Sequence, residues 1–157
     1  MMVGVDDSAE GVEDLVAASR ALLGVVARSL APALEEVTVP QFRLLVLASE
    51  LGPVRSGDLA ERLAVSGSTL TRTVDRLVAG GWLERRAGAS DRREVLVAAT
   101  EAGLLLVREV TDRRRAELAR VVARLSPQER AVLAQGAAAF RRAAGEPLPE
   151  ELSPYGG

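Results

Sequence analysis

The stretch RSGDLAERLAVSGSTLTRTVDRLVAGGWL, residues 55–83, restricts what this chain can fold into more than any other segment. Leu59 and Leu63 mark the inner face of one short helix, and Leu70, Val74 and Leu77 mark that of a second. Ser56 is placed to cap the first helix, with Asp58 in its opening turn, where a carboxylate suits the helix dipole. Ser66 is placed to cap the second, and Gly80-Gly81 ends it. Only the brief turn AVS separates the two, so the pair has a helix-turn-helix layout. Directly afterwards WLERR and EVLVA read as two strands around the loop AGASDRR.

The flanking segments complete the architecture. Apolar residues recur at helical spacing from Val12 to Leu34, predicting one long amphipathic helix that bends or ends near Pro32. Pro40 opens a second helix, QFRLLVLASEL, stopped by Gly52-Pro53. A three-helix head followed by a two-stranded hairpin is a winged helix-turn-helix, so the expected class is mainly α with a small β wing. Thr100 then caps a helix of about 26 residues, roughly 39 Å long, whose middle, TDRRRAE, reads as solvated. Ser126, Pro127 and Glu129 form a capping box for a last helix reaching Ala144. The expected division is a helical region from residues 1–36 and 100–145, a head from 37–99, and a Pro/Gly-rich tail from 146–157.

Composition narrows the chemistry. The 157 residues include no Cys, no His and no Lys. That removes disulfides, thiol sensing, Cys/His zinc sites, Ser-His nucleophile pairs and Schiff-base lysines. No carboxylate pair is distinguished by its spacing, so an enzyme is not expected, nor any cofactor. No apolar run approaches the roughly 20 residues of a membrane span. The acidic start, MMVGVDDSAEGVEDL, lacks the order of a signal peptide, and the cytoplasm is the expected location. All 20 basic residues are arginine. Residues 1–50 carry a net −5, residues 51–100 a net +2 and the remainder +1, which permits a local anion-binding face in the centre.

The segment LTRTVDRLVAGGWLERRAGASDRREVLVAATEAG resembles the MarR family (multiple antibiotic resistance regulators) of bacterial transcription factors. The family pattern is R-x-x-x-x-L in the recognition helix, a Gly-hydrophobic pair, D-x-R in the wing and then L-T-x-x-G. Here these are Arg72 and Leu77, Gly81-Trp82, Asp91 and Arg93, and Ala99-Thr100 with Gly103. Ala99 departs from the usual Leu, which costs packing under the wing. The resemblance implies an obligate homodimer whose first and last helices interlock and whose two heads address a pseudo-palindromic operator in double-stranded DNA. It also implies a regulator, most often a repressor, released by a small anionic or aromatic effector. The alternative is a helical interaction module without DNA binding.

In a helix-turn-helix the second helix enters the major groove. That helix offers Ser66, Ser68, Thr69, Thr71, Arg72 and Arg76. Arginine pairs bidentately with guanine, while hydroxyls suit phosphates or a thymine methyl. Arg76 reads equally well as a structural partner of a nearby acid. Arg55 and Ser56 are expected to contact phosphate. At the wing, Arg92 and Arg93 are placed to reach the minor groove or its phosphates, with Asp91 bracing the loop. Arg20, Arg28 and Arg43 lie on elements that could meet an anionic effector, and Phe42, Trp82 and Phe140 are expected in the core.

Overall fold

The computed structural model describes residues 6–88 and 95–145. Helix α1 (Asp6–Leu30) runs into a 3-10 segment at Ala31–Glu35, where Pro32 ends the α-helical hydrogen bonding. Helix α2 (Val39–Leu51) is opened by a capping box in which Thr38 and Gln41 serve each other's backbone N–H. A two-residue strand, β1 (Val54–Arg55), leads into α3 (Ser56–Leu63) and α4 (Gly67–Ala79). Strands β2 (Leu83–Ala87) and β3 (Val95–Ala99) follow, then α5 (Glu101–Val122) and α6 (Pro127–Ala143). The sheet is antiparallel in the order β1-β3-β2, with Val54 opposite Val97 and Leu83 opposite Ala99.

The head is built around one core. Leu44 and Leu45 of α2, Leu59 of α3, Leu70, Val74 and Leu77 of α4, and Leu83 and Val97 of the sheet are all essentially inaccessible to solvent. Burying each such side chain stabilises the fold by about 1.5–3 kcal/mol, so the attitude of α4 is set by its inner face. Val110 of α5 joins the same cluster and ties the long helix to the head.

Three elements meet at one junction. Helix α4 stops at Gly80, and Gly81 takes a φ of 77° so that the Trp82 N–H can reach the Leu77 carbonyl at 2.9 Å. Thr100 ends the wing and caps α5: its side chain accepts from the Gly103 N–H at 3.1 Å. The same hydroxyl lies within donating distance of the Gly81 and Trp82 carbonyls, and the Thr100 N–H donates to Trp82 as well. A Cβ at Gly103 would stand 2.3 Å from the Trp82 oxygen, which is why only glycine fits there.

Several local expectations are corrected. Arg55, not Ser56, occupies the N-cap of α3 and no side chain caps it, because the backbone leaves β1 in extended conformation at Arg55. The turn between α3 and α4 passes through Ala64 in the left-handed region, φ 53°. The middle of α5 is not uniformly solvated. Arg114 donates to the buried Ser29 hydroxyl of α1 at 3.4 Å, and Glu117, one-fifth exposed, receives Arg28 of α1 at 2.9 Å and Arg120 of its own helix. Phe140 is not in a core of this chain: it is 59% exposed, with Val132 and Leu133 exposed on the same helix. The segment Gly11–Glu35 is long and apolar enough to cross a membrane by length and composition. Ser19, Arg20 and Arg28 interrupt any single apolar run, while Ala, Leu and Val keep its average high. Its Val12, Leu15, Val16, Leu22 and Leu23 are exposed here.

Two outcomes follow from these contacts. Gly103→Ala should lower unfolding free energy by roughly 1–3 kcal/mol, since the added methyl must displace backbone; chemical denaturation measures it. The Arg28 hydrogen bond, followed by the Arg120 and Arg28 charges, holds the Glu117 carboxyl below its ordinary 4.5. That contribution is complete above pH 4.5 and is lost as the pH falls through the lowered value. Thermal melts of the wild type and Glu117→Gln should therefore differ at pH 7 and converge in acid.

Candidate nucleic-acid interface

The outer face of α4 carries Ser66, Ser68, Thr69, Thr71, Arg72 and Arg76, all exposed. Ser66 caps the helix, accepting the Thr69 N–H at 3.3 Å, and its hydroxyl also lies 2.9 Å from that of Thr69 and 3.1 Å from that of Ser68. Three hydroxyls thus crowd the N-terminus of a 13-residue helix, where unpaired N–H groups and the dipole favour an anion. Thr71 donates to the Gly67 carbonyl at 2.9 Å, which fixes its rotamer.

Arg72 lies back along the helix, its Nε donating to the Ser68 carbonyl at 3.3 Å. The two terminal nitrogens of its fork have no partner among the described residues. Arg76 has no acidic partner among them either. Its neighbour Asp75 is bound instead to Arg85 of β2. That pair bridges the second helix of the motif to the wing. Residue type alone did not reveal it, although an acid between two exposed arginine-rich segments was the available signal. Arg86 is likewise neutralised, by Glu84 on the same strand. Among the described residues of α4 and the wing strands, the basic groups left open are therefore those of α4.

Arg55 is exposed at the start of α3 and is engaged in an interaction of its own; Ser56 beside it is half-buried. The β2-β3 ladder ends at Ala87 opposite Val95. Asp91, Arg92 and Arg93 lie outside the described residues. No group of metal-ligating side chains is found among the described residues.

On the side of the head facing α1, a cavity of about 440 Å³ is lined by apolar residues including Leu30 and Phe42, by three arginines, Arg43, Arg62 and Arg114, and by one acid, Glu50. Of the arginines considered for an anionic ligand, Arg43 faces this cavity, Arg28 is engaged with Glu117, and Arg20 is not among its lining residues.

The comparisons with known proteins agree with this geometry. The family model described as MarR family matches residues 37–95. The HTH-type transcriptional regulator YfiV of Bacillus subtilis is 31% identical over 108 residues, covering 69% of this chain and 68% of that one. The crystal structure of RV1404 from Mycobacterium tuberculosis superposes with a TM-score of 0.80 at 40% identity, over 92% of this chain and 99% of the other. That of Streptococcus pneumoniae FabT in complex with DNA shares the fold, with a TM-score of 0.70 at 18% identity over 90% and 99% of the two chains. With helix-turn-helix, wing and flanking helices all in place, the chain belongs to the MarR family.

Proposed function

We propose that this protein is a homodimeric, sequence-specific DNA-binding transcriptional regulator that acts as a repressor in the cytoplasm and is released by a small anionic effector. The observation that carries the reading is the open face of α4. A hydroxyl-rich helix N-terminus and two arginines without acidic partners among the described residues stand on a helix whose opposite side is locked into the core. Arg72 reads a guanine edge, Arg76 reads a neighbouring base or phosphate, and Ser66, Ser68, Thr69 and Thr71 contact phosphates and a thymine methyl. Arg55 and Ser56 approach the backbone, and Arg92 and Arg93 enter the flanking minor groove with Asp91 as their brace. A DNA complex is known for the similarly folded FabT.

Dimerisation follows from unpartnered apolar surface. Helix α6 buries none of its residues within the chain, and α1 exposes Val12, Leu15, Val16, Leu22 and Leu23. Residues 1–36 and 100–145 form the shared helical region, residues 37–99 the head, and residues 146–157 a tail. The arginine-lined cavity sits between α1, α2, α3 and α5. An effector carboxylate there, with its ring on Phe42, would set the head's angle against the dimer helices, and repression would lapse when the half-site spacing is lost.

Arg72→Ala should cost about 1–3 kcal/mol on the operator and flatten preference at one position per half-site; equal loss on operator and random DNA would reduce it to a phosphate contact. Arg93→Ala should instead weaken both and lower the salt slope by about one unit per lost phosphate contact. Sedimentation at micromolar concentration should show a dimer; a stable folded monomer would remove the basis for paired half-sites.

A further inference from the structure

The outer face of α4 carries an acid where a polyanion would be met. Asp75 follows Arg72 by three residues and Thr71 by four, so the three share one stripe of the helix, and all are exposed. A bare carboxylate in that place would repel phosphate. Asp75 is instead ion-paired with Arg85 of β2, and neither group has another charged partner among the described residues. Their side chains are 54% and 42% exposed, so the pair adds little to the stability of the fold. What it changes is the charge offered to solvent. Arg86 is held separately, its Nε donating to Glu84 of the same strand at 2.7 Å. Of the four arginines on α4 and β2, Arg72 and Arg76 are left open and Arg85 and Arg86 are cancelled.

We propose that Asp75 is a specificity-determining residue, which neutralises Arg85 and so withholds from DNA a positive charge that would bind any phosphate. The inference rests on the DNA-binding reading of α4 and adds to it a reason for the acid on that face. Phosphate contacts raise affinity for every sequence, whereas base contacts raise it for the operator alone. Specificity is the ratio of the two affinities, so an added phosphate contact lowers it wherever random DNA gains more. Random DNA does gain more. On the operator the base contacts of α4 fix the register, and a released Arg85 meets whichever phosphate that register presents. On random DNA no register is fixed, and the head settles where the extra charge is best satisfied. Pairing Asp75 with Arg85 cancels both the repulsion of the acid and the indiscriminate attraction of the arginine.

The test is a binding titration of the full chain on two duplexes at several salt concentrations. One duplex carries the sequence protected by the protein beside its own gene, and the other is a random sequence of the same length and base composition. Asp75→Asn keeps the shape of the side chain and removes the charge. It should tighten binding to random DNA by roughly three- to tenfold at low salt and steepen the salt dependence by about one unit per subunit. The operator should gain less, so the ratio of the two affinities falls. Arg85→Gln, which leaves Asp75 bare, should weaken binding to both duplexes, and the double variant should return to the wild-type affinity for random DNA. Asp112→Asn frees Arg115 from an equally open pair on α5, at 2.9 Å, and alters net charge by the same amount. It should leave both affinities unchanged. If Asp75→Asn weakens operator binding and lowers the melting temperature, the pair is a structural brace and the proposal is overturned. Equal gains on both duplexes, or an equal gain from Asp112→Asn, would overturn it too. A wild-type chain that binds neither duplex would remove the DNA reading itself, an outcome distinct from a wild type that binds and an Asp75→Asn variant that matches it, which removes the inference alone.

Discussion

The approach of Gly103 to the Trp82 carbonyl is the contact on which the rest of the molecule depends. A single backbone oxygen receives the Thr100 N–H and lies within reach of its hydroxyl, while the same hydroxyl caps α5. The end of α4, the start of β2, the end of β3 and the start of the 22-residue α5 are thereby gathered at one junction. A change in the angle of α5 is passed towards α4 through the hydrogen bonds of this junction. The proposed regulation by a ligand near the long helices would need such a rigid joint, since a compliant one would absorb the signal.

Charge is organised around the same frame. The arginines of the wing strand are occupied, Arg85 by Asp75 and Arg86 by Glu84, and Arg28 is held by Glu117 between α1 and α5. Arg72 and Arg76 stand apart because no acid among the described residues competes for their forks. An overall negative chain can present a positive surface in this way, by spending its acids on structural pairs elsewhere. The Asp75–Arg85 pair also links α4 to the wing strand β2.

Much of this was legible in the sequence where local chemistry decides the outcome. Ser66, Thr100 and Ser126 cap their helices as their positions implied, and Leu70, Val74 and Leu77 turn inward as their spacing required. The face of α4 was legible for the same reason, being the complement of its apolar stripe. What escaped depends on distant partners. The two-residue β1 exists only because β3 offers an edge, and Ala64 adopts a left-handed conformation because the helix-helix turn demands it. Arg114 and Glu117 looked solvated until α1 supplied Ser29 and Arg28. Phe140 looked like core because its hydrophobicity carries no information about which chain covers it.

The central claim is that two copies of the α4 face read DNA in register. Hydroxyl-radical footprinting of the protein on the DNA flanking its own gene tests this most directly. The account predicts two protected segments, related by a two-fold axis and centred about one helical turn, 10–10.5 base pairs, or a small multiple of it apart. Protection should be lost as salt rises. A single protected segment, or uniform protection independent of sequence, would contradict it.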